Sequence, residues 1–169
     1  MITIRVPELV DDFVKVAALA KVAISASEIK WLELPAPHSP PTSLPSEMLA
    51  VYVFMHGTRC LKVGKAGQKS AARYCNQHYG VNRAPSTLAR SLVKAQFGGS
   101  SPLDEKNISK WICDNTDRIN FLIPSHYGSE VLSLLESFIQ CRLKPEFEGF
   151  ASQRAIAKNA LESNNLVAI

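Results

Sequence analysis

The amino-acid sequence predicts a mixed α/β domain with a small β-sheet and several helices. Residues 51–55 form a continuous run of β-branched, aromatic and other apolar side chains, and residues 119–123 are apolar except for Asn120, which is typical of buried strands. Segments with apolar residues at helical spacing lie before, between and after these runs. With 46% hydrophobic and 20% charged residues among 169, the chain can bury the core of one soluble domain.

The first 34 residues form a predicted N-terminal helical segment. Pro7 suits a first helical turn, acidic residues follow it, and apolar residues then recur at helical spacing, so we expect a helix from Pro7 to about Ser27. Its apolar surface is wider than one stripe, which predicts packing on the main domain or on a second copy of the chain as a homodimer. A helix-turn-helix DNA reader is the alternative. It is disfavoured because residues 1–50 hold four basic against six acidic residues and show no clear second helix.

Residues 35–49 form a predicted proline-rich connector, because five of the ten prolines lie between positions 35 and 45. Such a segment is expected to be extended and semi-rigid, at about 3.1 Å per residue. A proline-rich docking motif is the alternative. The main domain is expected at residues 50–150, and residues 151–169 are expected to form a weaker C-terminal helix and a tail.

The main domain begins with a predicted β-hairpin. Residues 51–55 form its first strand, His56-Gly57-Thr58 forms a short loop in which glycine can take positive φ, and residues 60–64 form the returning strand. A third strand is expected over residues 119–123. Helical spacing and capping residues predict helices over 70–79, 87–97, 107–115 and 129–143.

Charge is unevenly distributed along the chain. The net charge is +4, but residues 55–110 hold ten basic against two acidic residues, a net of +8, so the rest of the chain is at −4. Such a basic block predicts a polyanionic partner, and a merely solvated surface is the other interpretation. The start of the chain lacks a secretory pattern and a membrane span, and the four cysteines lack metal-binding spacing. We therefore expect a cytoplasmic protein with isolated thiols.

Two tripeptides on the predicted hairpin carry a family resemblance. Ala50-Val51-Tyr52 and Lys62-Val63-Gly64 are similar to the two halves of the GIY-YIG nuclease signature. Arg73 lies eleven residues past Lys62, and Glu136 lies in a helix followed by Lys-Pro-Glu-Phe, as an arginine and a metal-binding glutamate do in that family. Because four elements occur in the same order and spacing, residues 50–150 resemble a GIY-YIG domain in which Lys-Val-Gly replaces Tyr-Ile-Gly.

The resemblance implies a fold and an activity. The fold would be an α+β domain, a small three-stranded antiparallel sheet flanked by helices, to which the N-terminal helix is an addition. The activity would be that of an endonuclease that hydrolyses phosphodiester bonds, with DNA favoured over RNA as the substrate. The cofactor would be Mg²⁺ or Mn²⁺.

The resemblance also implies roles for five residues. Tyr52 would orient or deprotonate the attacking water, Glu136 would hold the metal ion, and Arg73 would neutralise charge that develops on the phosphate. Lys62 would contact phosphate at a position where the family more often has tyrosine. His78 is the fifth catalytic candidate. It lies five residues after Arg73, whereas the family usually has a histidine or tyrosine after four.

Further basic residues are candidates for contacts with the nucleic-acid backbone. One of them, Lys65, matches a lysine of some family members. The candidates are Lys65, Lys69, Arg83, Arg90 and Lys94.

A single pocket forms only if Tyr52 and Lys62 project from the same face of the sheet. We therefore expect Met55 to pair with Arg59 across a three-residue loop or an equivalent bulge, which sets Tyr52 directly opposite Lys62. The side chains of Arg73 and Glu136 are expected to approach that same face.

Two other functions remain open. Lys62, together with Glu148 where the family commonly has asparagine, favours a nucleic-acid-binding module that has lost cleavage. The third interpretation is a protein-interaction domain that uses the apolar N-terminal helix. In that case the basic block is only a solvated surface.

Overall fold

The fold is built on one antiparallel β-sheet. The computed structural model describes residues 4–84, 87–99 and 101–147, and the predicted helix in 151–169 lies outside them. The helices and strands, in chain order, are α1 (Val6–Leu19), β1 (Lys30–Leu34), β2 (Met48–His56), β3 (Arg59–Ala66), α2 (Ala71–Cys75), α3 (Leu88–Ala95), α4 (Ile108–Asn115), β4 (Asp117–Pro124) and α5 (Gly128–Leu143). The spatial order of the strands is β1-β4-β2-β3. None of the helices described here is long and apolar enough to cross a membrane.

The mixed α/β class is as predicted, but the expectation of three strands is wrong. β1 is a fourth strand that pairs with β4, from Lys30 opposite Leu122 to Leu34 opposite Arg118. It lies within the first 34 residues, for which the sequence predicts only helix. Because most of its residues are exposed, β1 lacks the buried apolar run by which a central strand is recognised. The N-terminal segment thus contributes both a helix and a strand to the fold.

Helices cover both faces of the sheet. On one face, side chains of α1 and α5 form a core with sheet residues that include Val53 and Phe121. On the other face, side chains of α2, α3 and α4 form a second core with alternate sheet residues that include Tyr52 and Phe54. We call these the Val53 face and the Tyr52 face.

Helix α1 belongs to the core of the Val53 face. Phe13 is fully buried, and its ring centre lies 5.8 Å from that of Phe138 in α5. Arg142 of α5 donates a 2.6 Å hydrogen bond to Asp12 of α1. The apolar stripe that suggests a dimer contact or a partner-binding helix is therefore buried within this chain.

Helix α1 ends earlier than the sequence predicts. The expected end is near Ser27, whereas the last helical residue is Leu19, because the chain turns at Lys21 with a φ of 61°. Ile24 is still buried in the same core. Its apolar side chain continues the helical spacing in the sequence but belongs to the loop.

The proline-rich segment is anchored to the rest of the fold. The backbone N–H of Ala36 donates to Asp117 Oδ1 at 2.8 Å, and that of His38 donates to the Cys113 carbonyl at 3.0 Å. The ring of His38 also bonds the Thr116 carbonyl through Nδ1 at 2.8 Å. These contacts hold the segment against the junction between α4 and β4.

The turn of the β2–β3 hairpin is shorter than expected. Only Gly57 and Thr58 separate the strands, with Gly57 at a φ of 59°, and Met55 pairs with Cys60. The expected pairing of Met55 with Arg59 is therefore wrong. By strict alternation, this turn would send the side chain of residue 62 to the Val53 face.

A β-bulge at Leu61 returns Lys62 to the Tyr52 face. Phe54 pairs with Lys62, so Leu61 is an extra residue on β3. Tyr52 itself pairs with Gly64, two residues beyond Lys62. Tyr52 and Lys62 thus share a face, as the sequence analysis expects, but they stand diagonally across the hairpin and not directly opposite each other.

Truncation of Phe13 tests whether α1 is part of the domain core. Phe13→Ala removes a fully buried ring and should lower the free energy of unfolding by about 3–5 kcal/mol, measured by urea denaturation. The control is Leu19→Ala, at a position of the same helix that is 85% exposed, which should change this free energy by less than about 0.5 kcal/mol. Equal and small effects of the two substitutions would contradict the packing of α1 on the sheet.

Candidate active site

A pocket of about 140 Å³ lies at the edge strand β3, and we call it the edge pocket. Its walls come from β2, β3, the region of α2, and α5. All five residues that the sequence analysis proposes as catalytic meet there, together with one of the five basic candidates. The lining residues are Tyr52, Lys62, Val63, Gly64, Lys65, Arg73, His78 and Glu136.

Tyr52 lies across the hairpin on Gly64. The two residues pair between β2 and β3, and Tyr52 is only 2% exposed. A Cβ atom at position 64 would lie 2.5 Å from the hydroxyl oxygen of Tyr52 and 2.7 Å from its Cζ, well inside contact distance. The tyrosine above it therefore requires glycine at position 64. This gives a physical reason for the glycine that ends the second tripeptide.

His78 turns into the pocket because the predicted helix over 70–79 is broken. α2 ends before Asn76, where φ is −134°, and Gln77–Tyr79 form a separate 3₁₀ turn. On one regular α-helix, His78 would lie about 140° around the axis from Arg73. The break allows both residues to line the same pocket although five positions separate them.

The His78 ring bridges Tyr52 and the start of α3. Its Nδ1 accepts the backbone N–H of Leu88 at 3.2 Å, which leaves the proton of a neutral imidazole on Nε2. Nε2–H then donates to the hydroxyl oxygen of Tyr52 at 2.6 Å. The phenolic proton of Tyr52 is consequently directed away from the histidine.

Burial keeps the imidazole of His78 uncharged. His78 is 3% exposed, and this burial lowers its pKa to about 3, with the positive charges of Lys62, Arg118 and Arg73 acting in the same direction. The ring is therefore neutral at physiological pH. It is a hydrogen-bond donor to Tyr52 and not a base that takes the phenolic proton.

Arg118 on β4 is a structural centre of the site that the sequence analysis did not select. It is fully buried, with its guanidinium within 6.0 Å of four aromatic ring centres. Nη2 donates to the Tyr74 carbonyl, Nη1 donates to the Tyr79 hydroxyl at 3.2 Å, and Nε donates to Asn120 Oδ1 at 2.8 Å. Two of these partners are chain neighbours of residues that line the edge pocket. The signal that could have identified it is an arginine directly before the mostly apolar residues 119–123.

The same network reaches the proline-rich segment. His38 Nδ1–H donates to the Thr116 carbonyl, and His38 Nε2 accepts the hydroxyl proton of Tyr79 at 2.8 Å. Burial lowers the pKa of His38, which keeps its ring neutral with the proton on Nδ1. The Arg118, Tyr79 and His38 side chains thus form one directed chain of hydrogen bonds between the sheet and the connector.

Glu136 reaches the edge pocket from the other side of the sheet. α5 packs on the Val53 face, whereas α2, which carries Arg73, packs on the Tyr52 face. The expectation that Arg73 and Glu136 approach the same face is therefore wrong. The two side chains meet because β3 is an edge strand, beside which both faces are accessible. Glu136 Oε2 lies 2.8 Å from Lys65 Nζ, which also donates to Ser133 Oγ at 2.9 Å.

The Lys-Pro-Glu-Phe sequence after α5 closes part of the same edge. The backbone N–H groups of Glu146 and Phe147 donate to the carbonyls of Cys60 and Leu61 at 3.0 and 2.9 Å. Lys62 Nζ donates to the Phe147 carbonyl at 3.2 Å. The segment therefore pairs with the first half of β3, and the edge pocket lies along the second half. Glu148 lies outside the described residues.

The other four basic candidates are exposed and do not line the edge pocket. Lys69 lies in the turn before α2, and Arg83 follows the 3₁₀ turn that carries His78. Arg90 and Lys94 lie one turn apart on α3. Of the five basic candidates, only Lys65 is brought together with the catalytic candidates.

The edge pocket offers one hard ligand to a metal ion. Among the residues that the structure describes, Glu136 is the only carboxylate lining this pocket, and no group of three His, Cys, Asp or Glu side chains could hold a metal. This donor set does not fit a cage built from protein ligands alone. It does fit Mg²⁺ or Mn²⁺ bound through one carboxylate and completed by phosphate oxygens and water.

No protein-family model, no curated protein and no solved structure matches this chain. The likeness to GIY-YIG nucleases therefore rests on the sequence motifs. The chemistry open to the pocket follows from its own groups. These are three cations, one carboxylate and a buried phenol that is hydrogen-bonded to a neutral imidazole.

Substitution of Gly64 tests the packing of Tyr52 over β3. Gly64→Ala places a methyl group against the phenol and should lower the free energy of unfolding by about 1–3 kcal/mol, because the ring must move out of its position. The matched control is Gly67→Ala directly after the same strand, where the nearest atom to an added Cβ is 3.5 Å away. Chemical denaturation of both variants measures the difference. Equal stability of the two variants would contradict the close contact.

Proposed function

We propose that this protein is a metal-dependent endonuclease that hydrolyses phosphodiester bonds in nucleic acid, with DNA favoured over RNA. The observation that carries the proposal is the convergence of Tyr52, Lys62, Arg73, His78 and Glu136 on the edge pocket. This convergence depends on the bulge in β3, the break after α2 and the edge position of β3. None of these features is part of the motifs by which the residues were selected, so they support the proposal independently.

The charges of the edge pocket suit a phosphodiester. Lys62, Lys65 and Arg73 supply three positive charges against the single carboxylate of Glu136. Arg73 is exposed at the pocket, where its planar guanidinium can bind two phosphate oxygens at once. In the proposed reaction these cations hold the substrate phosphate and neutralise the charge that grows on its non-bridging oxygens.

Tyr52 is the group that we assign to the attacking water. After its phenolic proton has been released to solvent, the phenolate would accept a proton from the water while the water oxygen bonds to phosphorus. The bond to the leaving oxygen would break at the same time, and that oxygen would take a proton from solvent. The donor His78 Nε2–H, 2.6 Å from the phenol oxygen, stabilises negative charge on that atom. The fixed contact with Gly64 keeps the phenol oriented. His78 is thus a positioning residue that acts through Tyr52.

Glu136 is the residue that would hold the metal ion. When bound, Mg²⁺ or Mn²⁺ supplies Lewis-acid stabilisation of the phosphate oxygens. Lys65 holds one oxygen of the carboxylate at 2.8 Å and is itself fixed by Ser133. This arrangement limits the rotamers of Glu136 and presents the carboxylate to the pocket.

The contact between Lys65 and Glu136 also favours a second candidate function. A carboxylate that is already compensated by an ammonium group binds a cation less readily. The same pocket would then bind a phosphate of nucleic acid without cleaving it.

A cleavage assay with a Glu136 variant tests the proposed activity. Glu136→Gln keeps the size of the side chain but removes its charge, and it should reduce Mg²⁺-dependent nicking of plasmid DNA by at least about 100-fold. The dissociation constant for the same DNA in EDTA should change by less than about twofold, because this binding uses the cations.

The control is Glu130→Gln, which changes an exposed carboxylate of the same helix that does not line the pocket. This variant should cleave at the wild-type rate. Wild-type cleavage by Glu136→Gln would overturn the assigned role of Glu136. Salt-dependent binding by the wild-type protein without cleavage would favour the second candidate, and absence of binding would refute both.

A further inference from the structure

A second cleft adjoins the edge pocket and shares two of its residues. It lies between the end of β3, α2 and the first turn of α5, with a volume of about 300 Å³, and we call it the α5 cleft. Lys65 and Arg73 line both cavities. A group bound in the α5 cleft and a phosphate bound in the edge pocket could therefore be neighbouring parts of one ligand molecule.

The walls of the α5 cleft differ chemically from those of the edge pocket. Leu49, Ala66 and Leu132 give it apolar surface, and Ser70 and Ser129 add hydroxyl groups. The two cations lie where it adjoins the edge pocket. This separation of cationic and apolar walls suits an amphipathic ligand. Its anionic end would lie at Lys65 and Arg73, and its apolar, flat body would lie against Leu49 and Leu132.

A nucleoside meets this requirement when its phosphate lies in the edge pocket. The sugar is joined directly to the phosphate. The faces of the base are apolar, and its edges can form hydrogen bonds with hydroxyl groups such as those of Ser70 and Ser129. The cleft volume is at the lower end of the range for small-molecule sites, which suits one nucleoside. This occupant follows from the proposed function, on which the inference rests.

In a duplex, a base is stacked and paired inside the helix, away from its own phosphate. A base can enter a cleft beside the phosphate site only if it is unstacked, which is costly for a duplex and nearly free for a single strand. We propose that the α5 cleft binds the unpaired nucleoside next to the scissile phosphate. The preferred substrate of the edge pocket is accordingly single-stranded nucleic acid or an unpaired flap.

Binding measurements with a blocked cleft test this assignment. Ser129 is exposed in the first turn of α5 and lines the cleft, so Ser129→Leu narrows it without changing charge. The 169-residue chain is titrated in EDTA against a labelled 16-nucleotide single strand and against its blunt duplex, with fluorescence anisotropy as the readout. The wild-type protein should bind the single strand at least about tenfold more tightly, and Ser129→Leu should remove about tenfold of that affinity while leaving duplex binding within about twofold.

The matched control is Ser137→Leu, the same substitution at an exposed serine of the same helix that lines neither the α5 cleft nor the edge pocket. It should preserve the preference for the single strand. Equal affinity of the wild-type protein for both ligands, or equal effects of Ser129→Leu on both, would overturn the cleft assignment. If duplex DNA is bound and cut while the cleft variant behaves as wild type, only this assignment fails. If neither ligand binds, the proposed function fails with it.

Discussion

The buried guanidinium of Arg118 is the constraint on which the candidate site depends. A charge removed from water costs several kcal/mol unless its hydrogen bonds are satisfied. Here the cost is offset by the Tyr74 carbonyl, the Tyr79 hydroxyl, Asn120 Oδ1 and the faces of the surrounding rings. Two of these partners, Tyr74 in α2 and Tyr79 in the 3₁₀ turn that follows it, tie this part of the chain to the sheet. The same part of the chain carries Arg73 and His78, which line the edge pocket.

The position of the site follows from the position of β3 at the sheet edge. A central strand has helices or neighbouring strands on every side, whereas an edge strand leaves one side where groups from both faces can meet. Tyr52 and His78 come from one face, and Lys65 and Glu136 come from the other. The segment after α5 covers only the first half of the edge. The remaining half is lined by cations, which is consistent with a surface that receives a polyanion.

Much of the fold and the membership of the pocket could be predicted from the sequence. Clear periodic patterns in the sequence mark the hairpin strands, α3, α4, β4 and α5. The family motifs selected residues up to 84 positions apart in the chain that line one pocket in the fold. The missed features depend on tertiary structure. β1 is exposed and has no strand pattern, and the break at Asn76 replaces a helix that local propensity favours. A bulge was expected as one alternative in this hairpin, but its position at Leu61 became visible only from the pairing of the two strands.

The Arg118 framework holds a neutral His78 as a hydrogen-bond donor to Tyr52. The most direct measurement is the ¹⁵N NMR spectrum of the His78 ring in the wild-type protein and in Arg118→Lys, which keeps the charge but loses the planar fork. We expect a protonated Nε2, an unprotonated Nδ1 and no titration of the wild-type ring between pH 8 and about pH 4, since burial lowers its pKa to about 3. We expect mixed tautomers in the variant. A wild-type ring that titrates near its ordinary pKa, or a variant with an unchanged His78 spectrum, would refute this role of Arg118.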